Sequence, residues 1–242
     1  MNDPLAVILL VAVALVASVL SAVTGFGGAA VLLPVLVAVF GVQDAVPILT
    51  VAQLLGNASR AWFNRREIAW PVVGWFALGS VPAGVVGGIL FATAPIPLLT
   101  RLLGGFLLLV VVHRHIRKPG ERRMKAWWFA PVGAGGNFLS ALVGSVGPLM
   151  APFFLAFGLV KGAYIGTEAM TALVMHVTKL GVYGGTSLLT PNNVTVGVML
   201  GVVLVAGSYL GKRLVDRVSE RVFALLIEFV LVGAGVYFLV AG

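Results

Sequence analysis

"SAVTGFGGAAVLLP", Ser21 to Pro34, lies inside a run of 36 residues from Leu5 to Phe40 that carries no charge. A run of that kind belongs in lipid. As one straight helix it would be about 54 Å long, against a hydrocarbon core of about 30 Å. The segment therefore folds back on itself, and the "TGFGG" glycines mark the place. Irregular backbone at membrane depth is costly unless protein or a water-filled cavity satisfies its polar groups. Glycine permits the tight conformations of such a break and the close approach of a ligand.

Working outward, the rest of the chain has the same character. Hydrophobic residues make up 60% of the 242 and charged residues 10%. Apolar runs of about 18 residues or more recur along it, which is the signature of a polytopic membrane protein. Cysteine is absent, which excludes disulfide frameworks and cysteine metal sites. The opening "MNDPLAVILL" lacks the basic region of a cleavable signal peptide and is expected to stay in the mature chain. The net charge of +8 comes from three basic clusters: Arg60, Arg65 and Arg66; His113 to Lys125; and Lys212, Arg213, Arg217 and Arg221. Each falls between apolar runs. That is the positive-inside pattern of cytoplasmic loops, not a nucleic-acid face, so the expected partner is the lipid bilayer.

With the basic clusters inside, the spans can be counted. Runs at 70–91 and 97–113 go out and back, as do 163–184 and 192–210. Helix 45–60 enters from outside, and 221–241 leaves the cytoplasm, so both termini are expected outside. The run 126–158 is broken at "GSVGP" as the opening run is at "TGFGG". The two also match in sequence: Leu20 with Leu139, Ser21 with Ser140, Gly25 with Gly144 and Gly28 with Gly147. Further on, Thr50 falls on Thr167, and Gly84, Gly88 and Phe106 fall on Gly207, Gly211 and Phe229. Each half then holds an odd number of crossings, so the halves are oppositely oriented. The expected fold is an all-α polytopic membrane protein of two inverted repeats, 1–117 and 118–242. Each repeat is a broken, re-entrant helix hairpin plus three transmembrane helices.

After each break a new helix starts, near Gly27 in the first half and near Gly147–Pro148 in the second. Proline suits a first helical turn. Free N–H groups and the helix dipole at such starts suit an anion. Entering from opposite sides, the two starts should meet near the midplane. The expected cage comprises Ser21, Thr24, Gly25, Phe26, Gly27 and Gly28 from the first hairpin. Ser140, Gly144, Ser145, Val146 and Gly147 come from the second, and the serines and the threonine supply hydroxyls. It would suit a small oxyanion. Three other glycine pairs, Gly84 with Gly88, Gly197 with Gly201 and Gly207 with Gly211, read as helix-packing faces.

Polar groups inside the spans are functional suspects. Helix 45–60 carries Gln53, Asn57 and Arg60, expected along the pathway. Helix 163–184 carries Lys179, expected to bind the anion, with Glu168 and His176. These two and Glu228 are the candidates for a coupling proton. Asp44 and Lys161 occupy matched loops after the hairpins and are expected to be exposed. No metal-binding cluster, His-Glu-x-x-His motif or phosphate-binding loop occurs, so no metal or cofactor is expected and transport would be secondary. A passive anion channel is the alternative reading. A membrane-embedded hydrolase using Glu168 and His176 is a more distant one.

The hairpins "GFGGA…P" and "GSVGP…P", the "YIGT" after the second, and the many apolar runs in under 250 residues resemble the sulfite exporter TauE/SafE family over essentially the whole chain. The second hairpin departs from the family's glycine-richer pattern at Ser145-Val146. The resemblance implies a multi-pass protein of a bacterial inner (plasma) membrane. It would export sulfite or organosulfonates, with a homodimer as a candidate assembly.

Overall fold

In the computed structural model the described residues are 4–24, 28–116, 124–214, 232, 236, 239 and 240. They form helices α1 (Pro4–Thr24), α2 (Gly28–Phe40), α3 (Val42–Phe63), α4 (Trp70–Thr93) and α5 (Ile96–Ile116). A single 3-10 turn, Ala126–Trp128, leads into α6 (Phe129–Val143), α7 (Gly147–Phe157), α8 (Lys161–Gly185) and α9 (Pro191–Leu214). No strand occurs among the described residues. The opening run is broken, as its length requires. The short arms α2 and α7, of 13 and 11 residues, are about 20 and 17 Å long, too short to cross a core of about 30 Å. Both end at a glycine with positive φ, Gly41 and Gly158, which turns the chain into α3 and α8.

Three full spans per half were expected. Among the described residues, two helices are long and apolar enough by length and composition alone: Trp70–Thr93 and Pro191–Gly211. The apolar stretches of α1, α2 and α5 are shorter. α3 and α8 have the length, 22 and 25 residues, but they carry the buried charged side chains among the described residues, Arg60, Glu168 and Lys179, which lowers their apolarity. Most of the expected span 221–241 lies outside the described residues.

Missing side chains set how closely the helices approach. A Cβ on Gly79 would fall against the Ala130 carbonyl, and one on Gly133 against that of Phe76. Gly84 likewise meets Asn137, so α4 and α6 lie side by side in the same direction. α9 repeats the arrangement on α1, with Gly207 against Ser18 and Gly211 against Ala22. It also packs Gly197 on Val51 and Gly201 on Leu55 of α3, while Gly88 of α4 meets Val182 of α8. The three glycine pairs read as packing faces are therefore helix contacts. Polar side chains pin the same two crossings. Asn137 Nδ2 donates to the Ser80 carbonyl at 2.9 Å, and Ser18 Oγ donates to that of Leu204.

One end of the bundle is marked chemically. All five tryptophans (62, 70, 75, 127 and 128) are exposed there, where α3 stops and α4 and α6 begin. Arg65, Arg66 and Lys125 accompany them, with the Arg65 guanidinium 4.5 Å from the Trp62 ring centre. Tryptophan is enriched at both interfaces of a bilayer, and basic residues are enriched in cytoplasmic loops.

Candidate functional site

A helix leaves its last carbonyls without partners, and a break inside a bundle buries them. Here a cation from a neighbouring helix answers at each break. Arg60 Nη1 of α3 donates to the carbonyl of Ser21 in the last turn of α1, at 3.2 Å. Lys179 Nζ of α8 donates to Ser140 Oγ at 3.0 Å and to the carbonyls of Gly144 and Ser140 at 3.3 and 3.5 Å. Tyr183, one turn on, donates to the Ala141 carbonyl at 3.0 Å. The separation is the same in both halves: Ser21 to Arg60 and Ser140 to Lys179 are each 39 residues. A positive charge at a helix C-terminus also complements the dipole.

The second break is built on Gly144, whose φ of 82° is a conformation that side chains disfavour. A Cβ there would also crowd Leu33 at 3.0 Å, so the break packs directly on α2. Proline lies in the first turn of α7, as its sequence suggested. At the start of α2 the Gly28 N–H already has a partner, donating to Ser21 Oγ at 2.9 Å. An accepting hydroxyl keeps its own proton for another contact.

A cavity lies between the breaks. Ser21 lines it from α1; Gln53, Asn57 and Arg60 line it from α3. Ser140, Gly144, Ser145, Val146 and Gly147 come from the second hairpin, and Glu168 and His176 from α8. The expected site residues are thus largely brought together. Lys179 is fully buried behind Ser140 and is not among the lining residues, nor is Gly28. Gly25, Phe26, Gly27 and Glu228, with the side chain of Thr24, lie outside the described residues. The sequence reading omitted the apolar wall of Ala29, Phe76, Met150, Phe154, Ala172 and Met175, and it omitted Thr171. Thr171, Ala172 and Met175 were legible, since they share the helical face of Glu168 and His176. The hydroxyl of Thr171 is engaged with the Glu168 carbonyl at 2.8 Å.

The centres of water-sized spheres have about 40 Å³ in this cavity. That exceeds the roughly 10–15 Å³ needed to hold one water, so the cavity can take water or a small ion. Its polar wall is charged. Arg60 Nη1 is 3.6 Å from Glu168 Oε2, with both side chains buried, and Nη2 donates to Asn57 Oδ1. Glu168 Oε2 and His176 Nδ1 are buried with no hydrogen-bond partner among the described residues. Buried polar atoms are normally satisfied; Ser80 Oγ, Asn137 Oδ1 and Tyr164 Oη share this state, but Glu168 and His176 also line the cavity. No group of three or more acidic or histidine side chains suited to a metal occurs among the described residues.

The profile of the family described as "Sulfite exporter TauE/SafE" matches residues 10–238. A relative from Bacillus subtilis (strain 168), "Probable membrane transporter protein YjnA", is 26% identical over 234 residues, covering 84% of this chain and 90% of the relative. No solved structure matches the chain significantly.

Proposed function

Because the chain belongs to the sulfite exporter TauE/SafE family, a family of membrane transporters, we propose that it is a secondary exporter of small sulfur-containing oxyanions such as sulfite or organosulfonates. The anion binds in the cavity between the two hairpin breaks, against Arg60, His176 and the serine hydroxyls. One observation carries this reading: a buried guanidinium and a buried histidine nitrogen with no partner among the described residues line one cavity of about 40 Å³. A small cavity with a charged wall suits a small oxyanion better than a drug-sized solute, whose pockets are of order 300 Å³ or more.

The two halves act as inverted repeats that rock about this site. Their reciprocal packing supports that. α1 packs on α9 as α6 does on α4, and α3 packs on α9 as α8 does on α4. The tryptophan-rich basic end faces the cytoplasm of a bacterial cell, and both termini lie outside.

The test is a thermal-shift screen of the purified protein against sulfite, sulfate, thiosulfate and small organosulfonates. Stabilisation by at least one of them, lost in Arg60→Gln, is the expected result. No stabilisation by any of them removes the anion reading.

A further inference from the structure

Five of the helices around the cavity, α1, α2, α4, α6 and α7, contain no Asp, Glu, Lys, Arg or His. The charge at its wall is therefore confined to α3 and α8. Glu168 is faced by Arg60 from α3 and by Tyr164 from its own helix, with His176 two turns along on the same cavity wall; α4, α6 and α7, which also pack on α8, bring no charged group. Lys179, the remaining buried cation, lies about three turns along α8 and is bonded to the α6 carbonyls.

Resting on the anion reading just proposed, we infer that Glu168 is a tethered substitute for the transported anion: its carboxylate holds Arg60 until the anion takes that place, and it then receives a proton, so that one proton accompanies each anion. Three observations carry this. The pair spans 3.6 Å, longer than a charge-assisted hydrogen bond of about 2.7–2.9 Å, and Glu168 Oε2 makes no hydrogen bond. Arg60 is held in place independently, by the Ser21 carbonyl and Asn57 Oδ1, so it stays when the carboxylate leaves. Both partners line the cavity, one from each half of the chain.

An oxyanion presents to a guanidinium the same pair of oxygens that a carboxylate does. The two therefore compete for one cation. A displaced carboxylate would be a buried charge that no second cation among the described residues faces, an arrangement costly enough that the group neutralises instead. The proton comes from the aqueous side to which the cavity is open and leaves with the anion on the other. A dianion crossing with a proton carries one net negative charge, which an inside-negative potential still drives outward. A monoanion would cross as a neutral pair.

The experiment uses the full-length protein in detergent, titrated with sulfate and sulfoacetate from about pH 5 to about pH 9. Wild type is expected to bind more weakly as pH rises, because the ionised carboxylate competes. Glu168→Gln is expected to bind about tenfold tighter at high pH, the scale of one charge-assisted contact, and to lose the pH slope. Wild-type affinity and slope in that variant overturn the inference and leave the anion site standing. Absence of binding to the wild type removes the anion reading itself. Proton uptake by the wild type at about pH 8, read with a dye in weak buffer, needs no variant to fold. About one proton per anion is expected, and none overturns the inference.

Discussion

Arg60 and Lys179 occupy the same register in the two halves, and the chemistry of each side chain separates what they do. A guanidinium is a planar fork of five donors, so Arg60 caps α1, holds Asn57 and still presents a face to Glu168 and the cavity. An ammonium is a point donor, and that of Lys179 is directed wholly to the end of α6. Arg60→Gln is therefore expected to weaken anion binding by roughly ten- to a hundredfold, the scale of one buried charge-assisted contact. Lys179→Gln is expected to lower stability by about 1–3 kcal/mol, the scale of buried acceptors left without donors, while affinity changes by less than about threefold. Thermal melting and anion titration of the two variants side by side separate these effects. An equal loss of affinity in both would place Lys179 in the anion site.

At the scale of the helix, glycine does two different things, and the sequence pattern alone did not separate every case. At Gly144 it supplies a positive φ at the break. Gly144→Ala combines backbone strain of about 1–3 kcal/mol with crowding of Leu33, and is expected to abolish transport in a protein that still inserts. Normal flux in that variant would contradict the constructed break. Along α4 glycine sets the helix spacing instead. Gly79→Ala drives a methyl into the Ala130 carbonyl across the contact with α6. Overpacking of that kind costs about 1–3 kcal/mol. Gly74, on the same helix, has nothing within 4 Å of an added Cβ. Gly74→Ala is expected to leave the melting temperature unchanged or raise it, since alanine favours helix by up to about 1 kcal/mol over glycine. Melting curves with the same sign for both substitutions would show that the α4–α6 contact is not this close.

For the molecule as a whole, the exposed tryptophans and the basic residues at one end set the expected orientation. The absence of cysteine makes it easy to read. Single cysteines at Arg65 and Lys125 should react with an impermeant thiol reagent only from the cytoplasmic face. One at Ser187, in the turn between α8 and α9, should react only from outside. Labelling of position 125 from outside would reverse the orientation or break the relation between the halves.

Much of this was legible in residue order. Apolar run length required a break near Gly25–Gly28, because a helix longer than the hydrocarbon core has to turn, and the internal match carried the same reading to Gly144–Gly147. Glycine spacing marked the helix contacts, because only a missing Cβ allows backbones to approach so closely. The helical period put Glu168 and His176 on one face. What it leaves open is which helix that face meets. Arg60 and Glu168 are far apart in the chain and belong to different helices, and only the packing of α3 on α8 makes them a pair. Packing also places the Lys179 ammonium against carbonyls whose need for a donor arises from a break elsewhere. The period of a helix is a local property of the backbone. The partner of a buried charge is a property of the whole bundle, because desolvation is relieved by whichever group the other helices bring within reach.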